Sequence, residues 1–270
     1  MNETFSFQRF GKYYKTELQA LFNNTWITVL LTALAGLIAY LFCGIMNLII
    51  GGSWDSYGLV GRWCTFLATF FVLTLSLPSK AYGYFTEKRA GTLYTLIPVS
   101  QLEKTLSMLL NVCIVAPVAF ILLAFSADAL LCLCDPRCGE TLIYSLANGL
   151  QGMTEFFEEG SNPNLMHTGD IIFIVCQSAA TYFLYFLLGS LYFKKHKIGK
   201  TILVYIAAGL VFSLIVAPFS HLITEMDWKR WYETPEEAVR VFKTVTYSIG
   251  IVGLLLLSGW TYLRIKTVKH

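Results

Sequence analysis

Apolar residues gather into six runs along the chain, at 28–50, 63–79, 105–127, 171–193, 201–219 and 244–263. A bilayer's hydrocarbon core is crossed by about 17–25 residues of helix, so each run predicts one transmembrane helix. The second run is the shortest, and the fifth ends at Pro218. The pattern therefore predicts an all-α polytopic membrane protein, a single transmembrane domain over 1–270 with six spans.

Between the runs the pattern changes period. In 1–27, Phe7, Phe10, Tyr14, Leu18 and Leu21 recur every three or four residues, with Arg9, Lys12, Lys15 and Gln19 on other faces. This is the signature of an amphipathic helix lying in the membrane interface with its basic side toward headgroups. Trp26 marks the headgroup level before the first span, as Trp54 and Tyr57 do in the short connection that follows it. Arg62 is expected at the rim of the second span, its stem reaching toward water. In the third span Asn111 and Pro117 interrupt an otherwise apolar helix, and the missing proline N–H predicts a bend.

The connection 128–170 is too long to be a structureless loop. Leu142, Ile143, Leu146, Leu150, Met153 and Phe157 predict a short amphipathic helix within it, and 161–164 carries turn chemistry. Between the fifth and sixth spans, 220–233 is rich in aromatics and acids and either re-enters the membrane or lies flat on it. Thr234, Pro235, Glu236 and Glu237 then supply the cap, N1 proline and first-turn acids of the last helix.

Charge sets the expected orientation. Arg9, Lys12 and Lys15, then Lys80, Lys88, Arg89 and Lys104, then Lys194, Lys195, Lys197 and Lys200, and finally Arg264, Lys266 and Lys269 all fall on one side of the six spans. Positive charge collects on cytoplasmic loops, so both termini are expected in the cytoplasm. The acidic residues of 128–170 and 225–237 fall on the other side. The composition agrees: 56% hydrophobic and 14% charged residues, with a mean hydropathy of +0.59, describe a chain solvated by lipid.

Several chemistries are disfavoured. Gly199, Lys200 and Thr201 form half of a phosphate-cradling loop, but Lys194 stands where its first glycine belongs. The span interiors, as bounded above, hold no ionisable residue, with Asn47, Asn111 and Gln177 as their strongly polar side chains; this argues against a carrier driven by its own ion gradient. His167, His196, His221 and His270 form no constellation, and Glu236, Glu237 and Arg240 are spaced as a helix start rather than a protease element. No enzyme activity, metal site or nucleic-acid surface is expected. Cys132, Cys134 and Cys138 crowd the end of the third span, where a disulfide involving Cys138 would suit an oxidising outer compartment.

The chain's most informative polar segment is 81–104, AYGYFTEKRAGTLYTLIPVSQLEK. It holds the charged trio Glu87, Lys88 and Arg89, then Gly91 and Thr92, a break at Pro98, and Ser100 three residues before Glu103. Ser100 and Glu103 have the form of a capping box, so a helix should start at about Gln101 and run through Lys104 into the third span. This order of features resembles the cytoplasmic loop of ABC-2 type permeases, in which an interfacial helix precedes six spans. The architecture is similar along essentially the whole chain, although 128–170 is longer than the resemblance requires.

The resemblance implies a permease subunit of an ATP-driven exporter in a plasma membrane, of the bacterial inner-membrane kind. It implies that 80–104 is the coupling loop, whose coupling helix docks on a separate ATP-binding-cassette subunit carrying ATP and Mg. Glu87, Lys88 and Arg89 would then be the charged contact, Gly91 and Pro98 the shape-setting residues, and Ser100 and Glu103 the cap joining the loop to the third span. The lysines of 194–200 would be a second docking point or simple positive-inside bias. A second copy or homologue would complete a dimer with a path between protomers. The same docking loop would also serve a non-transporting membrane scaffold that anchors an ATPase or envelope enzyme; polar residues facing each other across a dimer would favour the exporter.

Overall fold

A computed structural model of the protein describes residues 5–51, 58–87, 91, 94, 96–159, 167–225 and 235–267. The regular structure among them is helical: α1 (Phe7–Ile50), α2 (Leu59–Tyr82), α3 (Gln101–Cys134), α4 (Leu142–Glu159), α5 (Thr168–Tyr192), α6 (Lys197–Glu225) and α7 (Pro235–Thr267). A 3₁₀ turn (Gly83–Thr86) extends α2, and another (Pro136–Cys138) follows α3. Five stretches have the length and composition to cross a membrane: Phe7–Ile50, Leu59–Thr86, Gln101–Cys134, Thr168–Tyr192 and Lys243–Thr267. The predicted fifth span, 201–219, lies within α6, which is not among these five.

The expected interfacial helix and first span form one unbroken helix. Its buried stripe is Tyr13, Glu17, Leu21, Thr25, Val29, Ala33, Tyr40 and Gly44, a row spaced by four as far as Ala33 and continued seven residues on at Tyr40, which runs past the expected boundary at residue 27. The row includes a carboxylate and two small residues, so apolar periodicity pointed to a neighbouring face. Phe7 on that other face is 83% exposed. Gly51 ends α1 with φ of +85°, where its N–H reaches the carbonyls of Asn47 and Leu48. A side chain at this left-handed position would be strained.

α1 packs along α2 and α3, and α5 packs against α2, α6 and α7. The core between them is fullest near the 83–104 loop, where Leu73, Leu77, Tyr82, Phe85, Met108 and Leu187 are almost inaccessible. Deeper in the bundle Phe70 links Phe120 and Phe183, with ring centroids 5.6 and 5.8 Å away. Large apolar side chains on the outside, among them Leu31, Phe42, Leu122 and Leu203, are more than half exposed. That distribution suits a chain whose solvent is lipid.

The interruption in α3 is a π-helical turn over Asn111–Val115, directly before Pro117. Pro117 cannot donate to the carbonyl four residues back, and its ring crowds that group, so the widened turn absorbs the misfit. The two cysteines at the far end are joined, Cys132 to Cys138, while Cys134 is free and exposed.

α5 meets α6 through Gly189. A Cβ added there would lie 2.1 Å from Thr201 Oγ1, 2.5 Å from its Cγ2 and 2.8 Å from its Cβ. Gly189→Ala should therefore cost about 1–3 kcal/mol through overpacking, read as a lower unfolding temperature in detergent. Adding Thr201→Ala should recover part of the loss. An unchanged midpoint for Gly189→Ala would show that the two helices separate freely at this point.

Candidate functional site

The 83–104 segment is anchored to the bundle on one side and bare on the other. Its helix start is fixed by the capping box expected from the sequence: the Ser100 hydroxyl accepts from Glu103 N at 3.3 Å, and Ser100 N donates to Glu103 Oε2 at 3.0 Å. Glu103 also receives three donors from the start of α1. Ser6 N reaches Oε1 at 2.8 Å, while Arg9 Nε reaches Oε2 at 2.9 Å and Arg9 Nη2 reaches Oε1 at 2.8 Å. A carboxylate with no exposed surface thus has four N–H partners, including a two-pronged guanidinium. Arg9 was read from the sequence as a headgroup-facing residue; its charge instead closes on Glu103.

Lys104, next to the cap, turns inward. It is 1% exposed, its ammonium donates to Tyr94 O at 2.9 Å and lies 5.1 Å from the Tyr94 ring centroid. Tyr94 in turn shares a hydroxyl–hydroxyl hydrogen bond of 2.9 Å with Tyr13 of α1. Asn111 Nδ2 donates to Tyr82 OH at 2.9 Å, joining α3 to α2. Glu17 is buried among these groups with the hydroxyls of Tyr13, Tyr82 and Ser107 as its polar neighbours and Lys104 as the nearby cation, although neither carboxylate oxygen is in hydrogen-bond geometry. Two charges that sequence assigned to the surface or left unassigned are therefore internal, and their opposite signs offset one another.

The other side of the segment is accessible. Glu87 is exposed, its N–H donates to Tyr84 O at 2.9 Å, and its carbonyl accepts from Gly91 N at 2.9 Å. Pro98 is exposed, and Leu96 is 72% exposed. Gly91 is buried. Lys88, Arg89 and Thr92, also expected here, lie outside the described residues. A leucine in an apolar stretch reads as core from sequence; the exposure of Leu96 follows from Tyr94 and Val99 taking the inward positions on either side.

The lysine-rich connection before α6 joins the same root. Lys197 Nζ donates to Gly83 O, tying α6 to the end of α2. Burial holds this ammonium's pKa below its ordinary value, and Glu87 pulls it partly back. Arg264 at the end of α7 donates to Leu191 O at 3.3 Å, and its guanidinium lies 4.4 Å from the Tyr192 ring centroid. Lys197, expected to be a docking residue or an orientation signal, and Arg264, expected to be an orientation signal, are thus structural contacts.

The opposite end of the bundle corrects the reading of Arg62. It is 2% exposed rather than at a wet rim, and Nη1 bonds Asp128 Oδ1 at 2.7 Å. Nη2 donates to Cys138 O at 2.9 Å and Glu140 O at 2.6 Å, while Asp128 Oδ2 accepts from Leu142 N at 2.7 Å. The pair therefore clamps the disulfide turn and the start of α4. Arg62 and Asp128 fall one residue outside the apolar runs, which is why those runs seemed free of charge. A fixed, hydrogen-bonded ion pair is neutral overall and differs from the lone acid of an ion path. Asp170 forms a smaller knot between α5 and α7, paired with Lys243 and accepting from Tyr247 OH at 2.7 Å.

No cluster of three or more His, Cys, Asp or Glu suited to a metal occurs among the described residues. Comparison with models of known protein families, with curated proteins and with solved structures finds no match. What the chain itself defines is an all-helical bundle with five stretches able to cross a membrane, carrying at one end a loop with a locked inner side and an open outer side.

Proposed function

We propose that the chain is the membrane-spanning permease subunit of an ATP-driven exporter of the ABC-2 type. It works beside a separate ATP-binding-cassette subunit that holds ATP and Mg, and pairs with a second copy or homologue. The observation that carries this reading is Glu103. One buried carboxylate joins the loop, the first turn of α3 and the start of α1. Force applied to the exposed residues of such a loop passes into two long helices rather than into a soft hinge. In this reading both termini face the cytoplasm of a plasma membrane, with 80–104 meeting the partner. Glu87, Lys88 and Arg89 make charged contacts with that partner, and Leu96 and Pro98 supply its apolar part. ATP-driven closure of the partner subunits shifts the loop, and α1 and α3 carry the shift to the path between protomers. Gly91 and Lys104, both buried, shape or anchor the loop rather than touching the partner, and Thr92 belongs to the same coupling segment.

The test is purification of the tagged chain from its native membrane in mild detergent, with mass spectrometry of what remains bound. A stoichiometric ATP-binding subunit is expected, and it should be lost when Glu87, Lys88 and Arg89 are all replaced by residues of opposite charge. Recovery of the same subunit at full stoichiometry from that variant would overturn the coupling assignment. Recovery of an envelope enzyme without any ATP-binding subunit would favour a scaffold.

A further inference from the structure

Midway along the bundle, away from the loop and about one helical turn from the Asp170–Lys243 pair, α5, α6 and α7 line an open cavity of about 460 Å³. This falls in the range of small-molecule sites, roughly 300–1,000 Å³. Its lining includes Gln177, Tyr182 and Tyr185 of α5, Tyr205 of α6, and Thr246 and Leu257 of α7. None of the lining residues is charged.

Two polar atoms in this wall lack a partner within the protein. Gln177 is 7% exposed; its Nε2 donates to Tyr247 O at 3.2 Å, while its Oε1 is buried and accepts nothing. The Tyr185 hydroxyl is likewise buried and unpaired. Gln177 is held in place by Gly250, where an added Cβ would fall 1.6 Å from Nε2 and 2.3 Å from Cδ. The amide therefore presents its oxygen in a fixed direction. Tyr205 stands edge-on to both other tyrosines, with ring centroids 5.5 Å from Tyr185 and 6.1 Å from Tyr182. Buried polar groups in folded proteins are almost always hydrogen-bonded, so two orphans on residues that line one cavity call for an occupant that pairs with both.

We infer that this cavity binds an uncharged amphiphile bearing a hydroxyl group, which donates to Gln177 Oε1 and accepts from the Tyr185 hydroxyl while its apolar body lies along the tyrosine rings and Leu257. The depth of the site selects against charge. Gln177 is about 9 Å along α5 from Ile171, where the predicted span begins, at 1.5 Å per residue, well inside a core about 30 Å thick. The nearest cation, Lys243, is already paired with Asp170, so a phosphate headgroup there would meet no uncompensated positive charge, whereas a hydroxyl satisfies both orphans. Binding is a property of the chain alone and does not rest on the permease reading.

The test uses the purified chain in phosphatidylcholine nanodiscs with two photoreactive, clickable probes, a diacylglycerol and the matching phosphatidic acid. The diacylglycerol should label peptides within 174–185 and 246–257 at several times the level of phosphatidic acid. Gln177→Leu should reduce that labelling severalfold. Tyr185→Phe keeps the ring and removes only an unpaired oxygen; it should leave the unfolding temperature unchanged or higher while lowering labelling about threefold, the worth of one ordinary hydrogen bond. Equal labelling by the two probes, or labelling unchanged in a folded Tyr185→Phe protein, would overturn the proposal.

Discussion

Replacing Asp128 with alanine is expected to destabilise the protein by about 3–5 kcal/mol, the usual cost of stranding one member of a buried ion pair. Arg62 would keep its contacts to Cys138 O and Glu140 O but lose the carboxylate of Asp128. Leu142 N would lose its acceptor as well, so the start of α4 should loosen with it. Chemical or thermal unfolding in detergent measures the loss. The double replacement Arg62→Met with Asp128→Leu should be more stable than Asp128→Ala, because an apolar pair of similar volume strands no charge. A single-variant cost below about 1 kcal/mol would mean that water reaches the pair and screens it, as for surface salt bridges.

Glu103→Ala should cost about 2–4 kcal/mol, since hydrogen bonds to a charged group contribute about 1.5–3 kcal/mol each and Arg9, being partly exposed, regains some solvation. The local consequence should exceed the global one. Once the Glu103 carboxylate no longer holds Ser6 N and Arg9, the first turns of α1 should detach from α3, and trypsin should cut after Arg9, Lys12 or Lys15 well before the rest of the bundle opens. Glu103→Gln keeps the shape and one acceptor, and should fall between Glu103→Ala and the parent protein on both measurements. If the exporter reading holds, Glu103→Ala should also uncouple ATP hydrolysis from transport while leaving the partner subunit bound. Unaltered trypsin sensitivity would show that α1 is held by its apolar stripe alone.

Much of the architecture was legible because lipid imposes a simple rule. Long apolar runs fold as helices, and the cap at Ser100 is a local feature that a few residues specify. What escaped the sequence depends on distant partners. Arg9 looks like any basic residue on an amphipathic helix until Glu103, 94 positions away, is folded against it. Glu17 interrupts the apolar pattern of its own helix, so periodicity assigned the buried stripe one face too far round. Its spacing of four from Tyr13 and Leu21 was the available signal. Arg62 and Asp128 sat at the ends of apolar runs, where a charge ordinarily reads as a boundary rather than as a clamp. The orphaned amide of Gln177 had no signature at all, because a lone glutamine within an apolar span gives no sign of which atoms its neighbours will satisfy.

The unbroken course of α1 has a mechanical meaning. At 1.5 Å per residue its 44 residues extend roughly 66 Å. It is pinned near one end through Arg9 to Glu103 and, far along its length, through Tyr40 OH to Asp135 Oδ2 at 2.6 Å. Asp135 lies between the two linked cysteines, so the helix acts as a tie rod between the loop at one pole and the covalently closed turn at the other. A rod without a joint cannot absorb a displacement at one pole by bending locally. Whatever tilts the loop must therefore also tug the distant turn, and the two poles of the molecule move as one linkage.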